Sequence, residues 1–410
     1  MVGARVLLEE LVTLRIARGT LDAVGAPDLL DDLLRRGFTR RGLLRVLALV
    51  GASATVPFGS ERALGQLSNL GKKPSPGSVV INANEFPEGP SPAALEALFA
   101  VARNGNRYQY LETSELIATA AKLEGLRPEN YVAYAGSSLA LHHGVIAFTS
   151  PERALVTVEP GYEAAARAAE FIGAPVIRVP LAADGSHDLR AMLGASKAKP
   201  PGLFYVCNPN NPTGTVTKRA EIEWLIANKP AGSVVLLDEA YIHFSDEPPG
   251  ADLVRAGKDV VVLRTFSKIY GMAGLRAGFA IGRRDLVERM GRYQTGAMPV
   301  TAMAAAHVML EEPELVPTRK RGNSARREDL MAFFAKHGFA HTNSVSNNLM
   351  VDARMPTQQV IDALAARDVF VGRAWPVWPT HVRVSLGSAA DMEKFKAAFL
   401  EVTNHGSARG

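Results

Sequence analysis

The stretch SVVLLDEAY, residues 233–241, decides how the chain folds. Val234, Val235, Leu236 and Leu237 form an apolar run too short for a helix, and it ends on an acid pair, an alanine and a tyrosine. An apolar run without alternation has both faces covered, as a central strand of a parallel sheet does. The same pattern extends outward. DVVVLRTF (259–266) and AGFAIG (277–282) follow it, while LVTV (155–158), APVIRVPL (174–181) and GLFYVCNP (202–209) precede it. Helical patterns lie between these runs. YEAAARAAEFIG (162–173) is Ala-rich and closes on Gly173, and KRAEIEWLIANK (218–229) places Ile222, Leu225 and Ile226 on one face. Strands separated by helices predict an α/β fold with a mostly parallel sheet covered on both sides. Ligands of such sheets sit at the carboxyl ends of strands, which directs attention to Tyr162 and to residues 208–214, 238–241 and 267–268.

At 410 residues the chain can hold a large domain and a smaller one. Its 46 basic and 41 acidic residues leave a net charge of only +5 with no block of like charges, so nucleic acid is not an indicated partner. The single cysteine, Cys207, excludes an internal disulfide and a cysteine metal cluster; no H-E-x-x-H spacing occurs, and no metal site is expected. Residues 311–327 read as a solvated, helix-rich connection. Beyond them, NNLMVDA (347–353), a helix over 357–367, VFVGR (369–373), HVRVSLG (381–387) and a last helix over 390–402 predict a compact α+β unit.

Chemistry collects at the strand ends. In TFSKIYGMAGLRAG (265–278), Lys268 is followed by seven uncharged residues. An apolar setting disfavours the ammonium form, and an amine must shed its proton to form a Schiff base. Asp238 ends its strand, where a carboxylate held against a pyridine nitrogen would keep that ring protonated and able to accept electrons. In YAGSSLALHHGVIAF (134–148), Gly136, Ser137 and Ser138 open an apolar helix, and Ser267 and Arg276 add a hydroxyl and a guanidinium. Backbone N–H groups, hydroxyls and an arginine suit a phosphate dianion. Each residue alone has a plainer use: a surface lysine, an aspartate capping a helix, serines as an N-cap. Together, the lysine, the aspartate, a tyrosine and an asparagine at four strand ends meet the needs of pyridoxal 5'-phosphate.

INANEFPEGPSP (81–92), CNPNNPTG (207–214), LDEAY (237–241) and TFSK with GLRAG (265–278) carry a family resemblance. On these motifs, over about residues 78–402, the chain resembles the class I/II aminotransferases of pyridoxal phosphate fold type I, and among them the histidinol-phosphate aminotransferase branch. The resemblance implies a large domain with a mostly parallel seven-stranded sheet (96–297) and a smaller α+β domain (298–410). Residues 66–95 become an arm joining the small domain, and 1–65 an N-terminal extension. It implies catalytic roles for Lys268, Asp238 and Tyr241. Lys268 carries the cofactor and moves a proton, Asp238 pairs with the pyridinium nitrogen, and Asn211 and Tyr241 bond the ring hydroxyl oxygen. Tyr162 stacks on the ring, while Ser137, Ser138, Ser267 and Arg276 bind the phosphate. Tyr108, in NRYQY (106–110), reaches the partner subunit's phosphate, which implies a homodimer with shared sites; Tyr110 is the alternative. Arg383 clamps the substrate α-carboxylate, with Asn84 and Arg373 also on the substrate side. The implied reaction moves an amino group between an amino acid, or an amino-acid-like phosphate, and a 2-oxo acid by a ping-pong mechanism. Decarboxylation or β-elimination on the same scaffold, or cofactor binding without catalysis, are the alternatives.

Two features depart from the pattern. Arg373, in VFVGRAWPVWP (369–379), stands where the branch has an arginine that helps hold the substrate's own phosphate, yet Trp375 and Trp378 follow it. They line an apolar side-chain pocket or fill the small-domain core; both stay open. Near the N-terminus, Arg40 and Arg41 precede an apolar run over 43–58 that Arg45 interrupts, with small-x-small sites at 52–54 and 63–65. A spanning helix needs roughly 20 apolar residues, so a twin-arginine export signal fits better than an anchor and predicts a periplasmic or exported protein. A cytoplasmic protein is the alternative, with an amphipathic helix over 2–16 packed on the body or a neighbour; a start site set too far upstream of a real signal is a further reading.

Overall fold

The apolar runs form the strands expected of them. The computed structural model describes residues 28–51, 69–108, 110–294 and 296–407. Its strands are β1 (Val79–Ile81), β2 (Tyr131–Tyr134), β3 (Ala154–Glu159), β4 (Val176–Pro180), β5 (Pro201–Cys207), β6 (Val234–Asp238), β7 (Val260–Thr265), β8 (Gly278–Gly282), β9 (Asn348–Asp352), β10 (Val369–Val371) and β11 (His381–Ser385). Seven of them make one sheet in the order β2-β8-β7-β6-β5-β3-β4, with β8 antiparallel to both its neighbours and the others parallel. Every residue of β5, β6, β7 and β8 is buried, as the unalternating pattern requires. Helices Ser137–Phe148, Ala164–Ile172 and Arg219–Asn228 supply the covering layers.

A second apolar cluster gathers Leu330, Phe334, Val360, Leu364, Phe395 and Phe399 around the pair β9–β11. The arm joins it: β1 runs parallel to β10, with Ile81 opposite Val371. The two cores divide later than residue 298, however. Helix Val300–Glu311 buries Ala302, Met303, Ala305, Ala306 and Met309 in the large cluster, its small side chains admitting helix Pro92–Ala102 against it.

Helix Leu315–Lys336, expected as a solvated connection, is a strut between the domains. Arg319 donates to the carbonyls of Ile269 (2.8 Å) and Gly89 (2.7 Å), Arg326 pairs with Glu88 (2.6 Å), and Arg327 donates to the Val345 carbonyl (2.9 Å). Guanidinium groups offer five donors each, and here they satisfy loop carbonyls that would otherwise need water.

Helices Asp28–Arg35 and Arg40–Gly51 also belong to the body. Leu29, Leu30, Leu33, Phe38, Leu43, Val46 and Leu49 are buried in the large-domain cluster, and the second helix rests on Ser137–Phe148 and Ala164–Ile172. Arg36 fastens the pair, donating to the carbonyls of Ile146 and Thr149 and to the Tyr293 hydroxyl (2.9 Å). Arg40 and Arg41 thus open a packed helix. Residues 2–16 and both small-x-small sites lie outside the described residues. Among the described residues no helix is long and apolar enough to cross a membrane.

Candidate active site

A cleft opens at the carboxyl ends of the central strands, lined by Ser137, Ser138, Tyr162, Asn211, Asp238, Tyr241, Lys268 and Arg383 among others. Strand alternation sets the polarity of its floor. Asp238 enters the cleft, whereas the next residue, Glu239, turns away to an ion pair with Arg264 at 2.7 Å. The Tyr205 hydroxyl donates to Asp238 Oδ2 at 2.8 Å and the Ala240 N–H to Oδ1 at 3.1 Å. Burial pushes the Asp238 carboxyl up in pKa, and these donors and the charge of Lys268 oppose it. A cationic ring nitrogen is what this carboxylate would favour. Lys268 Nζ donates to the Ala83 carbonyl at 3.4 Å and stands 5.6 Å from the centre of the Tyr241 ring. Burial also holds the Tyr241 phenol above its usual pKa, so it stays protonated.

The phosphate end is built on a close approach. Gly136, at φ +90°, precedes helix Ser137–Phe148, and a Cβ there would lie 2.3 Å from Arg276 Nη2. Only glycine lets that guanidinium lie against the helix N-terminus. Arg276 Nη1 donates to Ser267 Oγ at 3.2 Å and to the Ala273 carbonyl at 2.8 Å. A guanidinium, the hydroxyls of Ser137, Ser138 and Ser267, and a helix N-terminus are the donor set a phosphate dianion needs. The residues present therefore fit pyridoxal 5'-phosphate: cradle at one end, Asp238 at the floor, Lys268 between.

At the other end Arg383, on β11, donates to Asn211 Oδ1 at 3.0 Å and to the Asn82 carbonyl. Its Nε–H is buried without a hydrogen-bond partner among the described residues, and burial lowers its pKa to about 10. A carboxylate would supply both the acceptor and the opposite charge. Because the Asn211 carbonyl is taken by Arg383, its NH2 group is the end left for a cofactor oxygen.

Four sequence-derived residues stand apart from this set. Tyr108 is 82% exposed and does not line the cleft. Asn84, at φ +53°, bonds protein rather than open space: Nδ2 donates to the Tyr241 hydroxyl (3.0 Å), and Oδ1 accepts from Ser385 (2.7 Å). It holds Tyr241 in place. Arg373 is paired through both terminal nitrogens with Glu163. Trp375 neither lines the cleft nor joins the small-domain core. It is buried, with the guanidiniums of Arg373 and Arg383 lying 4.3 and 5.4 Å from its ring centre. Sequence reasoning missed Tyr205 and Glu163. The first could have been found: β5 pairs with β6 so that Cys207 faces Asp238, and Tyr205 lies two residues back on the same face. For Glu163 no local signal exists, since its partner is 210 residues away.

Residues 77–399 match the family described as aminotransferase class I and II. An aromatic amino acid aminotransferase of Rhodococcus jostii is 33% identical over 324 residues, 78% of this chain and 89% of that protein. A histidinol-phosphate aminotransferase of Symbiobacterium thermophilum is 32% identical over 334 residues, covering 80% and 91%. Among solved structures, the histidinol-phosphate aminotransferase of Sinorhizobium meliloti in complex with pyridoxal 5'-phosphate shares the fold, with a TM-score of 0.74 at 24% identity over 87% of this chain and 97% of that one. The chain belongs to the class I and II aminotransferases. It is a pyridoxal phosphate-dependent aminotransferase of fold type I.

Proposed function

We propose that the enzyme moves an amino group from an α-amino acid to a 2-oxo acid in two half-reactions at the cleft, as a homodimer. The observation that carries this is the pair of ends: a phosphate cradle at Gly136 and Arg276, and a buried arginine, Arg383, whose Nε–H lacks an acceptor. The bound cofactor supplies an electron sink for the substrate Cα. The chain's own residues do the rest. Arg383, backed by Asn211, orients the α-carboxylate so that the Cα proton lies within reach of Lys268 Nζ. Lys268 removes that proton and, in the return half-reaction, gives it back. Asp238 holds the proton on the ring nitrogen, with Tyr205 and the Ala240 N–H fixing its carboxylate. Tyr241, steadied by Asn84, keeps a phenol O–H at the cofactor's hydroxyl side.

Adding amino donors, aromatic amino acids and histidinol phosphate first, while following the cofactor's absorbance tests this. Conversion to the amine form is expected, with release of a 2-oxo acid from an amino acid or of a phosphorylated ketone from histidinol phosphate; release of carbon dioxide or ammonia, with no need for an acceptor, overturns it. The dimer is supported by exposed Tyr108, Phe99 (66%) and Leu111 (78%) on one stretch of chain, apolar surface of the kind a partner covers. A single-protomer mass in sedimentation overturns that part. Export by the twin-arginine route is proposed on Arg40, Arg41 and the apolar run after them, and activity recovered only in the cytoplasmic fraction overturns it.

A further inference from the structure

Three consecutive residues of the arm touch three groups of the cleft. The Asn82 carbonyl accepts from Arg383, the Ala83 carbonyl accepts from Lys268 Nζ, and Asn84 Nδ2 donates to the Tyr241 hydroxyl. Strand β11 grips this strip from the small domain. Arg383 and Ser385, two residues apart on one face of β11, take Asn82 and Asn84 in turn. Asn84, at φ +53°, stands in the left-handed region that asparagine tolerates, and Asn347 Nδ2 donates to its carbonyl at 3.0 Å. Ser385 Oγ bonds it twice, accepting from the Asn84 backbone N–H at 2.9 Å and donating to Oδ1 at 2.7 Å. Amino transfer as described uses Tyr241 and gives Ser385 no part.

The Asn84 amide has two ways to lie, and the serine decides between them. With Nδ2 toward Tyr241, every donor has an acceptor: the backbone N–H uses Ser385 Oγ, the serine O–H uses Oδ1, and the amide N–H uses the phenol oxygen. With the amide turned over, its NH2 group donates to Ser385 Oγ, and the serine proton has no acceptor left among the described residues. Ser385 is buried, so that orientation carries the desolvation cost of an unbonded hydroxyl. The Tyr241 oxygen therefore accepts from Asn84. Its own proton has no acceptor among the described residues and remains for a ligand of the cleft that Tyr241 lines.

We propose that Ser385 is a positioning residue: by fixing the Asn84 amide, it makes Tyr241 give its proton to the ring hydroxyl oxygen of the cofactor. The inference rests on the aminotransferase reading and on Tyr241 standing at that oxygen. A donor there favours the oxygen's anionic form, and most strongly when Lys268 Nζ, joined to the cofactor beside it, has lost its own proton and charge. Ser385 thereby lowers the pH at which the Lys268 nitrogen gives up that proton.

The test is a pH titration of the bound cofactor's absorbance, without substrate, in the loaded full-length protein. Wild type is compared with Ser385→Ala, Asn84→Asp, Tyr241→Phe, and Ser385→Ala combined with Tyr241→Phe. Ser385→Ala should move the midpoint up by about one pH unit, because the amide is then free to turn and take the Tyr241 proton. Asn84→Asp offers Tyr241 only acceptors and should move the midpoint the same way. Tyr241→Phe should move it at least as far, and adding Ser385→Ala to Tyr241→Phe should then change nothing. A merely structural serine would add a second shift in the double variant, and that result overturns the inference. So does a Ser385→Ala midpoint equal to that of wild type. Asn84→Asp decides alone if Ser385→Ala does not fold, and an unmoved midpoint there overturns the inference as well. A wild type that fails to bind pyridoxal phosphate through Lys268 overturns the aminotransferase reading itself, before any variant is compared.

Discussion

Asp238 shows how one side chain's surroundings set its chemistry. Burial raises its pKa, and the Tyr205 hydroxyl is the first of the groups that pull it down again. Tyr205 itself is held well above its ordinary pKa by burial, so it stays a donor. In Tyr205→Phe the donor is gone, and Asp238 takes up its proton at higher pH. The acidic limb of the kcat/KM profile should move to higher pH, and a profile superimposable on wild type would refute that. Asp238→Asn should lower kcat by on the order of 100-fold, since a preorganised charge at the reacting system is lost. What the sequence could show at this scale follows from locality. Lys268, Asp238, Asn211 and Arg276 each sit in a short motif whose residue types already imply a chemistry. Tyr205 needed the register of β5 on β6 as well as its own motif, whereas Glu163 acts through a partner that only a contact between domains brings near, so its role was not legible. The same holds for Asn84 and Arg373, whose protein partners, Tyr241 and Glu163, come from distant parts of the chain.

Among elements, the helices Asp28–Arg35 and Arg40–Gly51 differ most from their sequence impression. An apolar run after two arginines has the same composition whether it is a signal or a packed helix; in the folded chain this one lies on an apolar flank of the large domain. Arg36 lies at the C-terminal end of helix Ser137–Phe148, where a cation meets both the last carbonyls and the negative end of the helix dipole. Arg36→Ala should cost about 2–3 kcal/mol of stability with kcat unchanged, read as a lower urea midpoint. A midpoint unmoved by the change would mean that solvent replaces the lost bonds. The sheet, by contrast, was legible almost strand by strand, because burial on both faces leaves uninterrupted apolar runs. β2, four residues bounded by tyrosines, and the edge strand β4, interrupted by Arg178, have no such run.

Over the whole molecule, buried histidines govern behaviour in acid. His143 is fully buried with neither ring nitrogen bonded among the described residues, and burial, aided by His142, lowers its pKa to about 3. His187 is lowered to about 4 by burial, against the opposing bond to Asn210. The unfolded chain accepts these protons near pH 6.5 and the folded one does not. Their contribution is therefore complete above pH 6.5 and is lost as pH falls from there towards 3 to 4, by about 1.4 kcal/mol per group at one unit below 6.5. Urea midpoints at pH 7.5 and 5.0 should differ less in His143→Phe than in wild type; equal differences would remove His143 from this account. The helix pair at residues 28–51 bears on maturation as well. A peptidase cutting beyond Gly51 would strip Leu33, Leu43, Val46 and Leu49 from the core they share with Ile172, leaving a greasy scar on the finished enzyme. Whatever compartment receives the protein, the twin arginines should still be attached to it, and the mass of the mature chain recovered from cells would record them.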